Sequence, residues 1–260
     1  MTQTALITGA SSGIGAELAR IHAEHGGGLV LVARRKDRLE QLKNELQANH
    51  EVPVEIIAED LNDEGAPQRI FNQLRASGTR IDILINNAGF GGRGRFHERD
   101  WADDRSMIQV NIVALSALTR LFLPDMVALK SGKILNVSST AALMPGPLQA
   151  VYYATKAYVT YFSNALAEEL RGTGVTVTAL MPGATDTGFA ATSGMDATSL
   201  FDKAVPPRKV AEAGYAGMLN GTLDVITGLS PGQRFATRIM PFLPKKVLLK
   251  QIRQMQEVGQ

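Results

Sequence analysis

The chain has 260 residues, of which 45% are hydrophobic and 20% charged, and its 27 basic and 25 acidic side chains leave a formal charge of +2. This length is normal for one large α/β domain, and the nearly balanced charge argues against a nucleic-acid partner. The absence of cysteine excludes disulfides, thiolate nucleophiles and cysteine-ligated metals.

Short β-branched runs alternate with longer helical patterns along the whole chain. In chain order these are strand 5–8, helix 13–25, strand 29–33, helix 35–48, strand 54–58, helix 64–76, strand 81–85, helix 101–129, strand 133–137, helix 150–171, strand 175–181, helix 206–219 and strand 223–227. Several strands are apolar on both faces, as in a parallel sheet covered on both sides. We therefore expect one Rossmann-type domain over residues 1–260, a doubly wound parallel sheet of about seven strands with helices on both faces.

Two segments depart from this alternation. Residues 184–205 are rich in Gly, Ala, Ser and Thr and carry scattered apolar residues, a composition that predicts an irregular substrate lid. Residues 231–260 form a C-terminal amphipathic extension, in which Leu248, Ile252 and Met255 share one helical face and the lysines and arginine lie elsewhere. For the extension we favour packing in an oligomer over covering the pocket or touching lipid.

A glycine-rich turn follows the first strand at residues 8–15, with the spacing Gly-x-x-x-Gly-x-Gly. Glycines let the backbone approach a phosphate, and the helix that follows presents free N–H groups to it. An ordinary helix start with Ser11 or Ser12 as the N-cap is the alternative. The same residues, Gly9-Ala10-Ser11-Ser12-Gly13, also match the nucleophile elbow of a serine hydrolase. That class needs a late histidine, and none follows His97. We expect His22 and His25 to be surface residues.

Four further motifs follow in a fixed order: Asn86-Asn87-Ala88-Gly89, Asn136-Val137-Ser138-Ser139, Tyr152-Tyr153-Ala154-Thr155-Lys156 and Pro182-Gly183. Together with the glycine turn, they make the chain from Thr2 to Thr227 resemble the short-chain dehydrogenase/reductase family, and within it the NADP-preferring bacterial reductases. The resemblance implies hydride transfer between a nicotinamide cofactor and a carbonyl or alcohol, on the fold expected above.

The resemblance assigns the catalytic roles to Asn111, Ser139, Tyr152 and Lys156. Tyr152 would exchange the proton, and Lys156, four residues further along one helix face, would lower the pKa of the phenol. Ser139 would hold the carbonyl, with Ser138 as the neighbouring alternative. Asn111 would support a water linked to the lysine, and its apolar neighbours favour a buried position.

The end of the second strand indicates the cofactor. Arg34 and Arg35 stand where NAD-preferring relatives place an acid, and guanidinium groups suit a 2′-phosphate, so we expect NADP(H), bound by Arg34 first and Arg35 second. The full set predicted to bind the cofactor is Gly9, Ser11, Ser12, Gly13, Ile14, Gly15, Arg34, Arg35, Asp60, Leu61, Asn87, Ala88, Gly89, Tyr152, Lys156, Pro182, Gly183, Thr185 and Thr187.

The expected function is reduction of an apolar ketone, aldehyde or acyl ketone by NADPH. The predicted pocket walls are Phe90, Leu143, Met144, Phe189 and Phe201. A serine hydrolase and a non-catalytic NADP-binding regulator remain as alternatives. We expect a cytoplasmic homodimer or homotetramer with a small-molecule partner. No leader-type segment precedes the first strand and no uninterrupted apolar run approaches ~18 residues, so we expect neither secretion nor stable membrane insertion.

Overall fold

In the computed structural model, which describes residues 3–195, 204–230, 232–233 and 244–256, seven strands form one parallel sheet. The strands are β1 Thr4–Thr8, β2 Gly28–Ala33, β3 Val54–Ala58, β4 Ile83–Asn86, β5 Gly132–Val137, β6 Val175–Pro182 and β7 Asp224–Thr227. Their order is β3-β2-β1-β4-β5-β6-β7, so the direction of winding reverses between β1 and β4. A cleft opens at the carboxyl ends of strands at such a reversal, and the predicted doubly wound sheet is confirmed.

Helices cover both faces of this sheet. They are α1 Gly13–Glu24, α2 Lys36–His50, α3 Ala66–Ala76, α4 Trp101–Ile108, α5 Leu115–Ala128, α6 Ala150–Glu169, α7 Phe189–Ser193, α8 Pro207–Leu219 and α9 Lys245–Gln256. One core cluster joins the sheet to α1, α2 and α8, and a second joins its other face to α3, α5 and α6. Successive residues of β1 divide between the two: Ala5 and Ile7 belong to the first cluster and Leu6 to the second.

The predicted helix 101–129 is interrupted. Between α4 and α5 the chain forms a π-helical turn, Gln109–Ala114, which buries Gln109, Asn111 and Ala114. A π turn inserts one extra residue per turn and commonly marks a functional site. The 3.6-residue periodicity predicted one continuous helix, and the π turn that interrupts it is seen only in the structure.

One stretch of the chain, Trp101–Ala128, is long and apolar enough to cross a membrane by length and mean hydropathy (1.5) alone. It packs against α3 and against β4 and β5 within the domain. Helices that cover a sheet meet the same test, so this stretch does not by itself indicate insertion, and the absence of insertion stays a prediction.

Parts of the expected lid and of the C-terminal extension lie outside the residues that the structure describes. These are residues 196–203 of the expected lid, which include Leu200 and Phe201, residues 231, 234–243 and 257–260 of the extension, and the side chain of Met255. Within the lid, the five-residue helix α7 replaces part of the predicted irregular segment.

The prediction that His22 is a surface residue was wrong. His22 is buried, with Nδ1 2.9 Å from the Tyr215 hydroxyl and Nε2 3.0 Å from the Gln3 carbonyl oxygen. Burial lowers the pKa of His22 below its ordinary value. His25, three residues later, is exposed as expected. The difference arises because α8 covers α1 on the side that carries His22 and leaves His25 at its edge.

Candidate active site

The glycine turn is joined to β4 by a clamp between Thr8 and Asn87. The Thr8 hydroxyl oxygen accepts from the backbone N–H groups of Asn87 and Ala88, both at 3.0 Å. In return, the Asn87 amide donates to the carbonyl oxygens of Thr8 at 2.9 Å and Gly9 at 3.2 Å. Gly9 has φ +64°, and a Cβ there would lie 2.8 Å from Asn87 Nδ2. The turn therefore needs glycine for its own packing as well as for access to a ligand.

The start of α1 lacks a side-chain cap. Ser12 occupies the N-cap position in an extended conformation, but its hydroxyl makes no capping hydrogen bond. Instead, Arg35 Nη2 donates to both Ser11 Oγ and Ser12 Oγ at 3.1 Å. The alternative of an ordinary serine-capped helix start is therefore wrong. Backbone N–H groups at the start of α1, with an arginine beside them, suit the phosphates of a dinucleotide.

Arg35 rather than Arg34 makes these contacts. Arg34 also lines the cleft and is exposed, and it has no hydrogen bond or ion pair with any residue in the described part of the chain. The preference for Arg34 over Arg35 stays a prediction, because both guanidinium groups can reach a phosphate at the end of β2.

Asn111 lies on the π turn with only 1% of its surface exposed. Its side-chain oxygen accepts from Phe90 N at 3.1 Å, and its amide nitrogen donates to Phe90 O and to Thr155 Oγ1, both at 3.0 Å. The buried position expected for Asn111 is confirmed, and its support of a water linked to Lys156 stays a prediction. The residue fixes the loop after β4 against α6, the helix that carries Tyr152 and Lys156.

Tyr152 is buried in the first turn of α6, with its ring 5.3 Å from that of Phe189 between centroids. Burial raises its pKa, while a hydrogen bond from Ser139 opposes the rise. The expectation that Lys156 lowers the pKa of Tyr152 was therefore wrong for this structure. Lys156 Nζ lies 5.9 Å from the centre of the Tyr152 ring, and loss of hydration dominates the pKa of this buried phenol. The Tyr152 phenol is consequently protonated at neutral pH.

Lys156 is also buried, and its Nζ donates to the carbonyl oxygen of Val137, the last residue of β5, at 2.9 Å. Burial lowers the pKa of Lys156 to about 8. Gly89 faces the same ammonium, because a Cβ on that residue would lie 3.2 Å from Nζ. The lysine thus sits between β4 and β5, inside the cleft, as a cation whose charge is lost in mildly alkaline solution.

The two adjacent serines differ in their surroundings. Ser138 is buried, and its hydroxyl contacts Lys156 O at 2.8 Å and Thr160 Oγ1 at 2.7 Å, which ties β5 to α6. Ser139 is more open, and its Oγ accepts from Ala141 N at 3.1 Å, within reach of Tyr152. The geometry therefore favours Ser139 over Ser138 as the residue that contacts a substrate.

These side chains line one cleft of about 1660 Å³. Its lining includes Ser139 and every residue of the predicted cofactor set except Gly15, namely Gly9, Ser11, Ser12, Gly13, Ile14, Arg34, Arg35, Asp60, Leu61, Asn87, Ala88, Gly89, Tyr152, Lys156, Pro182, Gly183, Thr185 and Thr187. Gly15 is instead packed under the turn, where a Cβ would strike Asn87 Nδ2 and Gly9 O. Asn111 lies behind the cleft wall.

Three of the predicted pocket walls, Phe90, Met144 and Phe189, line the cleft. Leu143, the last residue of the 3-10 turn that follows β5, does not line the cleft. Phe201 lies outside the described residues.

The C-terminal helix α9 supplies part of the site, which was the less favoured of the expectations for the extension. Ile252 and Gln256 line the cleft, and Leu248, Ile252 and Gln256 are buried. Arg93 Nε donates to Gln256 O at 2.8 Å and so secures the end of the helix. The amphipathic pattern predicted this helix, but the favoured packing in an oligomer is not what the structure shows, since its apolar face covers the cleft of the same chain.

The serine-hydrolase alternative finds no base at the predicted elbow. Ser11 Oγ accepts from Arg35, and none of the four histidines, all of which are described, lines the cleft. A hydroxyl held by a guanidinium and without a neighbouring base is not an activated nucleophile.

The comparisons with known proteins agree with this geometry. A family model described as short chain dehydrogenase matches residues 3–197. The very-long-chain 3-oxoacyl-CoA reductase of Homo sapiens is 37% identical over 182 residues, which cover 68% of this chain and 58% of that protein. This chain therefore spans less than two thirds of the human reductase. The sulfoacetaldehyde reductase of Chromohalobacter salexigens is 41% identical over 191 residues, covering 73% of this chain and 75% of the relative.

Among solved structures, a short-chain dehydrogenase from Sphingobium yanoikuyae in complex with NADPH superposes with a TM-score of 0.83 at 33% identity, covering 98% of both chains. The agreement extends over nearly the whole fold.

Asn111 provides a test of how the site is held together. Asn111→Ala removes the partners of both backbone groups of Phe90, and we expect it to lower the free energy of unfolding by about 2–3 kcal/mol. Gln109→Met is the matched control, because Gln109 lies on the same π turn and its buried Nε2 has no partner within the described chain. It should change stability by less than ~1 kcal/mol. Urea unfolding followed by circular dichroism measures both, and equal losses would contradict the role assigned to Asn111.

Proposed function

Because the chain belongs to the short chain dehydrogenase family of oxidoreductases, we propose that it is an NADP(H)-dependent reductase of a ketone, an aldehyde or an acyl ketone. The observation that carries this proposal is that Ser139, Tyr152 and Lys156 line the same cleft as the glycine turn. Hydride transfer needs the cofactor, the carbonyl and a proton donor in one water-poor space, and this cleft brings their binding groups together.

Proton transfer would run through Tyr152. A reduced nicotinamide cofactor held by the glycine turn and Arg35 would supply the hydride for the carbonyl carbon. The Tyr152 phenol, kept protonated by burial, donates its proton to the carbonyl oxygen, and Ser139 donates a second hydrogen bond to that oxygen. The phenolate left behind is stabilised by the ammonium of Lys156, which Val137 O holds in place. Asn111 acts indirectly, by fixing α6 against the loop after β4.

The choice of NADP(H) is supported by Arg34 and Arg35 at the rim of the cleft. The fit also rests on the uncapped start of α1 and on the bare backbone of Gly9 and Gly13, both with positive φ. Arg35 is already directed at Ser11 and Ser12. The Sphingobium yanoikuyae relative was solved with NADPH. Guanidinium groups favour a 2′-phosphate over a ribose hydroxyl, because they donate paired hydrogen bonds to phosphate oxygens.

The substrate chamber and its lid are part of the same proposal. Residues 184–205 would act as a lid, since Val205 N donates to Ala184 O at 3.0 Å and Asp186 N donates to Val205 O at 2.9 Å. These bonds hold the two ends of the segment together, and Phe189 within it contacts the Tyr152 ring. Apolar side chains around the phenol favour an apolar substrate and exclude water.

A homodimer or homotetramer in the cytoplasm also remains a proposal. Val113, Tyr158 and Tyr161 are exposed on the π turn and α6, with Tyr161 71% exposed. Apolar and aromatic groups gathered on neighbouring helices are typical of a surface that a second subunit covers. The role of a regulator without turnover is disfavoured, because binding a dinucleotide would not require Ser139, Tyr152 and Lys156 to converge.

Cofactor preference tests the first part of the proposal. Wild-type protein should bind NADPH at least tenfold more tightly than NADH, and Arg35→Ala and Arg34→Ala should each reduce this ratio by roughly tenfold. Lys36→Ala, at an exposed neighbouring cation outside the cleft, should keep the ratio. Nicotinamide fluorescence titration measures the dissociation constants of all four proteins for both cofactors. Equal affinities of the wild-type protein for the two cofactors would contradict the proposal.

The role of Tyr152 is tested by removing its hydroxyl group. Tyr152→Phe should lower the rate of carbonyl reduction by about 10²–10⁴-fold, because it deletes the proton donor and leaves the ring in place. Tyr161→Phe is the control on the same helix, since Tyr161 is exposed and outside the cleft, and it should retain the wild-type rate. The readout is NADPH oxidation at saturating cofactor, with NADPH binding measured in parallel. A Tyr152→Phe variant that remains active would exclude Tyr152 as the donor.

The lowered pKa of Lys156 leads to a prediction of how the rate of reduction depends on pH. Its pKa is lowered to about 8, so the ammonium is present below that pH and is lost as the pH rises through it. Tyr152 stays protonated over the same range, because its pKa is raised. The kcat for reduction, measured from pH 6 to 10 at saturating NADPH, should therefore fall above about pH 8. A rate that stays level or rises up to pH 10 would show that the Lys156 charge does not assist the step.

A further inference from the structure

A polar cluster lies at the substrate end of the cleft, among otherwise apolar walls. It consists of Gln149, Tyr153 and Gln256, which we call the Gln149 cluster. Gln256 Nε2 donates to the Tyr153 hydroxyl at 2.8 Å, and Gln149 Nε2 donates to Gln256 Oε1 at 3.3 Å. All three residues line the cleft that holds Tyr152. The mechanism above uses none of them.

Gln149 carries a hydrogen-bond acceptor without a partner. The residue is 4% exposed, and its Oε1 is buried with no hydrogen bond to the described chain. The orientation of the amide follows from its neighbours, since Gln149 Nε2 lies 3.0 Å from Met195 Sδ, an atom that can only accept. The carbonyl end of the amide is thereby left for another group. A buried acceptor without a donor is costly, so its retention in a ligand cleft points to a donor on the ligand.

Tyr153 supplies the complementary group. Because its hydroxyl oxygen accepts from Gln256, its hydrogen is left to donate, and no acceptor for it occurs among the residues described. The ring is seated on Gly146, where a Cβ would overlap the aromatic carbons. The ring centroid lies 6.0 Å from that of Tyr152. Tyr153 therefore packs against the backbone of Gly146 and lies next to the proposed proton donor.

The charge around the Gln149 cluster favours a neutral ligand group. The cations among the described cleft residues are Arg34, Arg35, Lys156 and Lys209. None of them bonds to the cluster, and Lys156 Nζ is held by Val137 O. Arg93, which binds the backbone carbonyl of Gln256, is not part of the lining. A carboxylate or sulfonate placed here would lose its hydration and gain no described cation in return.

We propose that Gln149 and Tyr153 bind a hydroxyl or carboxamide of the substrate, close to the carbonyl that Tyr152 protonates, and that Gln256 orients them. This inference rests on the proposed reductase function and narrows its substrate class to ketones that carry a second, neutral polar group. A hydroxyl would donate to Gln149 Oε1 and accept from the Tyr153 hydroxyl. Gln256 is a positioning residue, because its side chain contacts Gln149 and Tyr153 rather than the reacting atoms.

A rigid series of ketones tests the proposal: 4-methylcyclohexanone, 4-hydroxycyclohexanone and 4-oxocyclohexanecarboxylate. Dissociation constants are measured by ligand-observed NMR titration of the full chain saturated with a redox-inactive NADPH analogue, which can neither reduce a ketone nor oxidise an alcohol. We expect the hydroxyl compound to bind about tenfold more tightly than the methyl compound, as two neutral hydrogen bonds would provide. The carboxylate should bind no more tightly than the methyl compound.

Substitutions test which residues produce the preference for the hydroxyl compound over the methyl compound. Gln149→Met should bring the hydroxyl-to-methyl affinity ratio close to one, whereas Gln109→Met, at a buried glutamine outside the cleft, should keep the wild-type ratio. Tyr153→Phe removes one of the two hydrogen bonds and should lower the ratio by about threefold, which provides a second test if Gln149→Met does not fold.

Equal affinities for the methyl and hydroxyl compounds, tightest binding of the carboxylate, or an unchanged ratio in a folded Gln149→Met or Tyr153→Phe would each overturn the proposal. Oxidation of NADPH by the same ketones is measured separately. A preserved hydroxyl preference without turnover would support the subsite and overturn the proposed reductase function. Turnover of all three ketones with equal affinities would support the proposed reductase function and overturn the subsite formed by Gln149 and Tyr153.

Discussion

The clamp between Thr8 and Asn87 is the constraint on which the rest of the site depends. It bonds the ends of the two central strands, β1 and β4, at the point where the winding of the sheet reverses. Gly9 and Gly15 must be glycine because Asn87 occupies the space that a side chain would need. The glycine turn therefore serves two purposes. It packs against Asn87 in the clamp, and it leaves the backbone at the start of α1 open to a ligand.

Burial determines the protonation states at the centre of the cleft. The pKa of Tyr152 is raised and that of Lys156 is lowered, in both cases because the charged form has lost water. An attraction between ammonium and phenolate matters only once the proton has left Tyr152. The resting site thus holds a neutral phenol beside a cation anchored to Val137 O, which is the arrangement that the proposed proton transfer requires.

The substrate end is assembled from distant parts of the chain. Gln256 reaches Gln149 and Tyr153 across more than a hundred residues, and the loop after β4 contributes Arg93, which binds the end of α9. The catalytic end, by contrast, is built on strand ends and on one helix of the sheet's own framework. This division is common in α/β enzymes, where the sheet positions the chemistry and added segments shape the space for the substrate.

The sequence alone determined the alternation of strands and helices and the seven-stranded sheet, because these follow from local periodicity. The grouping of Ser139, Tyr152 and Lys156 was implied by the resemblance of its motifs to a known family. Only the tertiary structure decided the burial of His22 beneath α8, the π turn at Asn111, the contact of Arg35 with the serines of the glycine turn and the position of α9 over the cleft. An amphipathic pattern shows that a helix has a face to bury, but not which surface will cover it. That choice depends on the shape and hydrogen bonding of residues far away in the chain.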